Sequence, residues 1–189
     1  MITLMIDCFT CPFFKSLRNY ANGYTSHNTR RSRMAIHIVL VEPEIPPNTG
    51  NVARSCAATE SVLHLVKPLG FSVDDKQMKR AGLDYWPFIN LFIHENLSEF
   101  LNQYQGRRMF FAETTAEKNY TDATFKDEDM ILFGSETAGL PKELVERNKD
   151  HAIRIPMTAE IKFRSLNLSN SVNIILFEAL RQLNFPNLK

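Results

Sequence analysis

The stretch Phe133–Leu144, FGSETAGLPKEL, joins a predicted strand to a predicted helix through a short polar loop. The apolar run Met130–Phe133 precedes the loop, and Pro141 follows it, where a helix can begin because its first residue needs no backbone N–H. The loop Gly134–Gly139 holds one carboxylate, but it has neither a GxGxxG spacing nor the GKS or GKT of phosphate-binding loops. The question is therefore what a glycine-hinged polar loop binds at the end of a buried strand, if not phosphate.

Strands and helices alternate along the chain on both sides of this loop. The predicted strands are Ile36–Val41, Leu63–Val66, Ile89–Ile93, Arg108–Ala112, Met130–Phe133 and Ala152–Ile155. The predicted helices are Asn51–Thr59, Asp75–Ala81, Leu97–Gln103, Pro141–Asn148 and Leu168–Leu183. The strands are continuous apolar runs, which is typical of a parallel sheet covered on both faces. We therefore predict an α/β domain with a single parallel-type sheet and helices on both faces.

The composition is that of an ordinary globular chain, with 189 residues of which 44% are hydrophobic and 23% charged. This length is sufficient for one well-packed core. No apolar run reaches the roughly 18–20 residues that a membrane span requires, so we expect no membrane segment. Three cysteines do not suggest a disulfide framework in a chain of this length, and we expect a reducing compartment, the cytoplasm.

The first 33 residues differ from the rest in charge and pattern. They contain five basic side chains and one acidic one, Asp7, and they show no sustained period. The whole chain has a net charge of +1, so the remainder carries about −3. Cys8 and Cys11 have CxxC spacing, but no second pair follows, and we predict no metal site.

Three interpretations of residues 1–33 are open. A secretory signal is disfavoured, because the start lacks a basic region and Asp7 interrupts the apolar stretch. A basic arm that binds RNA is the second interpretation. We favour the third, a dispensable extension upstream of a true start at Met34, where a clean strand begins. The chain is thus divided into an extension, residues 1–33, and a domain, residues 34–189.

Polar clusters follow the predicted strands, where ligands bind in parallel sheets. In Glu42–Cys56 the prolines predict a stiff extended turn, with Asn48 or Thr49 capping the next helix. Asn51 and Arg54 then share one helix face, and a solvated arginine on a capped helix is the alternative interpretation. A second cluster of amides and hydroxyls precedes and enters the last helix and predicts a hydrogen-bonding surface for a ligand or for neighbouring backbone. It consists of Ser165, Asn167, Ser169, Asn170, Ser171 and Asn173.

Four motifs in this order carry a resemblance to a known family. They are EPEIPPNTGNVAR (42–54), KPLGF with KRAGLDYW (67–71 and 79–86), FGSETAGLP (133–141), and IPM with RSLNLSNSVNIILFEALRQ (155–157 and 164–182). Together they resemble the SPOUT superfamily of methyltransferases. Within it, the chain is most similar to the small tRNA ribose 2′-O-methyltransferases that act on the wobble nucleotide. The resemblance covers nearly the whole chain after Met34.

The resemblance implies a trefoil knot near the C-terminus, a homodimer in which both subunits build one site, and S-adenosyl-L-methionine bound in the knot. The product would be S-adenosyl-L-homocysteine. Gly134 would allow close approach of the backbone to the adenosine, because it has no Cβ. The other cofactor-binding residues implied are Glu113, Thr114, Ile155, Met157, Ser165 and Leu166. This cofactor has no phosphate, so the loop needs no phosphate cradle.

The implied reaction transfers a methyl group to the ribose 2′-OH of a wobble cytidine or modified uridine in tRNA. Arg54 matches the family's functional arginine, and we expect it to grip a phosphate and orient the 2′-OH, since a guanidinium is a poor base. Asn48 and Asn170 are expected to hold the site by hydrogen bonds. Glu136 is expected either in the site or as a structural clasp of the loop. Phe177 replaces a tyrosine that many relatives carry.

A basic surface for RNA would need patches from two subunits, because the domain itself is slightly acidic. The candidates are Lys76, Lys79, Arg80, Arg107 and Arg108, with Tyr85 and Trp86 either stacking on a base or packing in the core. Two other functions stay open: a catalytically silent RNA-binding protein on the same scaffold, and a ribose methyltransferase acting on another RNA. An enzyme is favoured by the intact residues Arg54, Gly134, Ser165 and Asn170, whereas Phe177 counts against it.

Overall fold

The computed structural model describes residues 34–71, 89–158, 165–186 and 188–189. These residues contain seven strands, four α-helices and two short 3-10 helices, Tyr120–Asp122 and Lys149–His151. The strands are β1 (His37–Val41), β2 (Val62–Val66), β3 (Asn90–His94), β4 (Met109–Ala112), β5 (Lys118–Asn119), β6 (Met130–Phe133) and β7 (Ala152–Arg154). The helices are α1 (Pro46–Thr59), α2 (Leu97–Gln103), α3 (Lys142–Arg147) and α4 (Leu168–Gln182).

The strands form one sheet in the order β3-β2-β1-β6-β4-β7-β5, and every neighbouring pair is parallel. In the centre, Leu40 of β1 lies opposite Leu65 of β2 and Phe133 of β6. Every residue of β1, β2 and β6 is buried, which explains why these strands are apolar apart from His37 and His64. The predicted single parallel sheet is confirmed. The edge strand β5 was not predicted, because two residues are too short for any periodic signal.

Helices cover both faces of the sheet, as predicted. Ile38 and Leu40 of β1 face a core formed with α1 and α4, which pack against each other. Val39 and Val41 point to the opposite face and join a second core with Phe100 of α2 and part of α3. The alternation of side chains along each strand therefore divides the apolar residues between two layers.

The start of α1 corrects the sequence-based prediction. The helix begins at Pro46 rather than Asn51, and Pro46 and Pro47 occupy its first positions, where a missing N–H breaks no intrahelical hydrogen bond. The predicted extended turn at these prolines is therefore wrong. The predicted capping role of Asn48 or Thr49 is wrong as well, because the N-cap is Ile45 and both side chains are buried inside the first turn.

Some predictions fall on residues that the structure does not describe. They are the extension 1–33, the helix Asp75–Ala81, and the RNA-contact candidates Lys76, Lys79, Arg80, Tyr85 and Trp86. Within the described ranges, no helix is long and apolar enough to cross a membrane. The same ranges contain no cluster of three or more His, Cys, Asp or Glu side chains that could hold a metal ion.

Candidate functional site

A cavity of about 490 Å³ lies at the carboxyl ends of adjacent strands. The strands β1, β6, β4 and β7 are neighbours in the sheet, so the segments that follow them meet at one edge. Phe133 of β6, Ala112 of β4 and Ile153 of β7 form part of its floor. The position is the one expected for a ligand in a parallel α/β sheet.

All seven residues predicted to bind the cofactor line this cavity. They are Glu113, Thr114, Gly134, Ile155, Met157, Ser165 and Leu166. They come from the segments after β4, β6 and β7 and from the segment before α4, so only the fold brings them together. Of the three residues predicted to be catalytic, Asn48 lines the cavity, whereas Arg54 and Asn170 do not.

The loop from Gly134 to Leu140 folds back on itself beside the cavity. Ser135 and Gly139 form an isolated antiparallel bridge, in which the N–H of Gly139 donates to the carbonyl of Ser135 at 3.0 Å. A Cβ on Gly134 would overlap the backbone of Gly139 and Leu140. Glycine is therefore required at position 134 because the two ends of the loop lie against each other. The expected reason was different, namely room for the adenosine. Gly139 itself has a φ of +70°, in the left-handed region that favours glycine.

The carboxylate of Glu136 fastens this loop to the start of α1. Its Oε2 accepts from the N–H of Glu44 at 2.8 Å, and its Oε1 accepts from the N–H of Ile45 at 3.2 Å and from Asn48 Nδ2 at 2.8 Å. Next to it, Thr137 Oγ1 donates to a carboxylate oxygen of Glu44 at 2.6 Å. Of the two alternatives for Glu136, these contacts favour the structural clasp.

Asn48 extends this connection to the last helix. Its Oδ1 accepts from Asn167 Nδ2 at 2.9 Å, so both ends of the Asn48 amide are engaged. Asn167 caps α4, because its Oδ1 accepts from the N–H groups of Ser169 and Asn170 at 3.0 and 3.4 Å. Glu136, Asn48 and Asn167 thus form a side-chain network between the loop, α1 and α4. Sequence reasoning placed Asn167 in a polar cluster but did not single it out.

Replacing Glu136 by alanine is expected to destabilise the domain by about 2–3 kcal/mol, because three N–H donors lose a charged acceptor. Urea unfolding measures the change. Glu143→Ala is the matched control, since Glu143 on α3 is 89% exposed and its i,i+4 partner Arg147 lies 3.6 Å away. Equal stability of the two variants would show that the clasp contributes nothing.

Arg54 lies further along α1 than Asn48, on the exposed face that also carries Asn51. The first turn of α1 borders the cavity through Asn48, while Arg54 is directed to the outer face of the helix. This placement suits a residue that contacts a substrate outside the cavity rather than the ligand within it.

Arg108 and Arg107, two of the RNA-contact candidates, are paired within the protein. Arg108 binds both carboxylate oxygens of Asp129, which is 2% exposed, and donates to the carbonyl of Thr124 at 2.8 Å. Arg107 donates to the carbonyl and carboxylate of Glu128 at 2.8 and 2.7 Å. Arg108 therefore holds the turn before β6, and its proposed contact with RNA loses support.

Comparison with known proteins relates the chain to RNA methyltransferases. The model of the SpoU rRNA Methylase family matches residues 35–177. The tRNA (cytidine(34)-2′-O)-methyltransferase of Methylovorus glucosotrophus (strain SIP3-4) is 50% identical over 149 residues, which cover 78% of this chain and 96% of that protein. A solved structure described as "Structural insights into the 2-OH methylation of C/U34 on tRNA" is 43% identical, with a TM-score of 0.74 over 80% of this chain and 97% of that one. An AdoMet-bound rRNA methyltransferase from Sinorhizobium meliloti is 25% identical, with a TM-score of 0.68 over 80% of this chain and 58% of that one.

Proposed function

The chain belongs to the SpoU rRNA Methylase family, and from that premise we propose that it methylates the ribose 2′-OH of the wobble nucleotide in tRNA, using S-adenosyl-L-methionine. One observation carries the proposal. The seven residues that the resemblance implies for the cofactor surround a single cavity at the carboxyl edge of the sheet. The relative and the solved structure described in terms of C34 or C/U34 support cytidine or uridine as the wobble base.

The residues around the cavity fit this cofactor. The volume of about 490 Å³ lies within the range of small-molecule sites. Backbone groups and apolar side chains of Ile155, Met157 and Leu166 would hold the adenine, and the loop from Gly134 would form the opposite wall. When bound, the cofactor supplies a methyl group activated by a sulfonium. Because it has no phosphate, the absence of a phosphate-binding loop is consistent with it.

The site would catalyse methyl transfer mainly by positioning the 2′-OH of the substrate. Among the described residues that line the cavity there is no histidine, cysteine or lysine, and the carboxylates of Glu113 and Glu136 accept hydrogen bonds from the protein itself. Holding the 2′-OH beside the bound cofactor can remove much of the barrier, and the hydroxyl proton would then be lost to solvent water without a strong base. We assign this orientation to Arg54, through a phosphate of the RNA, while Asn48 fixes the surrounding segments.

The proposal extends to features that the resemblance implies. These are a trefoil knot near the C-terminus, a homodimer, and action in the cytoplasm, where tRNA is modified. The loops after β6 and β4 meet beside the cavity, where the N–H of Leu140 donates to Glu113 Oε2 at 3.4 Å. Phe177 on α4 is 47% exposed, and a second subunit packed on α1 and α4 would cover it.

The direct test incubates the purified protein with S-adenosyl-L-methionine and an unmodified tRNA, followed by mass spectrometry of the wobble nucleotide. Methylation of the 2′-OH is expected, and a tRNA with a 2′-deoxy wobble nucleotide serves as the control that receives no methyl group. Binding of tRNA without methyl transfer would favour the silent RNA-binding protein. Methylation of a different RNA only would favour the other ribose methyltransferase.

Removing residues 1–33 is expected to leave both stability and methyl transfer unchanged, since the family match starts at residue 35. The two forms of the protein are compared by melting temperature and by initial rate on the same tRNA. A large loss in either quantity would show that the N-terminal segment is a functional basic arm.

A further inference from the structure

A row of three buried histidines crosses β1, β2 and β3, and none of them lines the cavity. His37 opens β1, His64 lies in the middle of β2, and His94 ends β3. Their exposed fractions are 8%, 0% and 3%. His37 Nδ1 lies 2.9 Å from His64 Nε2, and His64 Nδ1 lies 3.0 Å from His94 Nε2, so the rings are joined by two hydrogen bonds.

The row is enclosed between the sheet and α2. Adjacent rings lie edge to edge in nearly parallel planes, with centroids 5.2 Å apart and an interplanar angle of 22° for His37 and His64, and 5.3 Å and 20° for His64 and His94. The side chains of Phe100 and Tyr104 approach His64 and His94 edge-on from the α2 side. Aromatic groups thus pack against His64 and His94, and both ring nitrogens of His64 are hydrogen-bonded to its two neighbours in the row.

The direction of the two hydrogen bonds follows from the group at the end of the row. Each bond between imidazoles needs one N–H and one lone pair, so the row can point either way. The buried Nε2 of His37 has no hydrogen-bond partner among the described residues, and the nearest charge is Glu128 Oε2 at 3.5 Å. A lone pair facing a carboxylate is repulsive, so this nitrogen carries the proton.

We infer that the three histidines form a chain of neutral rings, all protonated at Nε2 and directed toward Glu128. This chain stabilises the packing of β1, β2, β3 and α2 at neutral pH, and the stabilisation is lost in acid. If His37 carries its proton on Nε2, its Nδ1 accepts from His64 Nε2 and His64 Nδ1 accepts from His94 Nε2. A further proton on His37 or His64 would place two N–H groups against each other, because the Nδ1 of each accepts from the next ring. These two rings therefore keep both hydrogen bonds only in the neutral form, whereas burial disfavours the charge on His94.

The charged groups around the chain do not outweigh its burial. Burial lowers the pKa of His37, although Glu128 and Asp127 raise it and Arg107 opposes them. Burial, with the neighbouring His37, His94 and Arg107, lowers the pKa of His64 to about 2. Burial also lowers the pKa of His94, against the raising effects of Glu99 and Gln103 on α2.

The sign of the pH dependence follows from these lowered values. A histidine in the unfolded chain has a pKa of about 6.5, so below that pH the unfolded chain binds protons that the folded chain does not. The free energy of unfolding therefore has its full value above about pH 6.5 and decreases as the pH falls below it. Each of the three histidines can reduce the folding equilibrium constant by up to about tenfold per pH unit.

Urea unfolding between pH 7.5 and 5.0 measures this uptake, in a range above the ordinary pKa of carboxyl groups. The expected result is a steep loss of stability below pH 6.5 that corresponds to two or three protons bound on unfolding. His94→Phe is expected to reduce that number by about one, because each histidine that is kept neutral in the folded protein takes up one proton on unfolding. His151→Gln, at an exposed histidine outside the chain, is expected to leave the number unchanged. Constant stability across this range would overturn the inference.

Nitrogen-15 NMR of the histidine rings tests the direction on the unaltered protein, so the test survives if His94→Phe fails to fold. At pH 7.5 the three buried rings are expected to be neutral and protonated at Nε2. In Glu128→Gln the amide can donate to His37 Nε2, and a population with Nδ1–H rings is expected to appear. Protonation at Nδ1 in the unaltered protein, or an imidazolium at His37 or His64 of the folded protein at pH 6, would contradict the inference.

Discussion

Gly134→Val is expected to abolish cofactor binding and to destabilise the domain by about 3 kcal/mol or more, because its Cβ would overlap backbone atoms rather than a flexible side chain. The affected atoms belong to Gly139 and Leu140, at the other end of the same loop. Forcing them apart would break the bridge between Ser135 and Gly139 and move the wall of the cavity. The resemblance implied only that Gly134 makes room for the adenosine, and the loop geometry adds an effect on stability.

Urea unfolding and calorimetric titration with S-adenosyl-L-homocysteine measure the two effects of Gly134→Val. Gly106→Ala is the control for the effect of a Cβ without a steric overlap: Gly106 has a positive φ of +84°, unlike Gly134, but a Cβ there meets nothing within 4 Å. Its cost is expected to be about 1–2 kcal/mol, from backbone conformation alone. Normal stability and normal affinity in Gly134→Val would place the ligand elsewhere and contradict the described loop.

Arg54→Ala is expected to lower turnover by at least tenfold to a hundredfold, with cofactor affinity nearly unchanged. A charge-assisted hydrogen bond to the RNA is worth roughly 1.5–3 kcal/mol, and loss of orientation adds to it. Cofactor affinity is expected to persist because Arg54 does not line the cavity. Lysine keeps the charge without the planar guanidinium and is expected to restore only part of the rate.

The measurement for Arg54 is the initial rate of methyl transfer to tRNA, alongside the dissociation constant of S-adenosyl-L-homocysteine and the melting temperature. Arg147→Ala is the matched control, since Arg147 is a 79% exposed arginine on α3. An unchanged rate in Arg54→Ala would remove Arg54 from the mechanism. A loss of cofactor affinity equal to the loss of rate would assign it to the cavity instead.

The sequence predicted the parts of this structure that depend on local patterns. Buried parallel strands are apolar runs, so β1, β2 and β6 could be located to within one residue. The start of α1 was missed because proline suits both an extended turn and the first turn of a helix. The residues around the cavity were found through the resemblance, since no local pattern connects Thr114 with Ser165.

Long-range side-chain contacts lay beyond sequence reasoning. Asn48 and Asn167 are 119 positions apart, and Asn48 and Glu136 are 88 apart, so only the meeting of strand ends makes them neighbours. His37, His64 and His94 are separated by 27 and 30 residues on three different strands. A histidine inside an apolar run carries no signal of the partner that satisfies it, whereas the sheet register sets the pairing.

The central claim is tested most directly by mapping 2′-O-methyl groups in tRNA from cells with and without this gene. We expect the methyl group on a wobble cytidine or uridine to disappear with the gene, to return with the unaltered protein, and not to return to the same level with Arg54→Ala. Wobble nucleotides that are equally methylated in both strains, across all tRNAs, would contradict the proposed function.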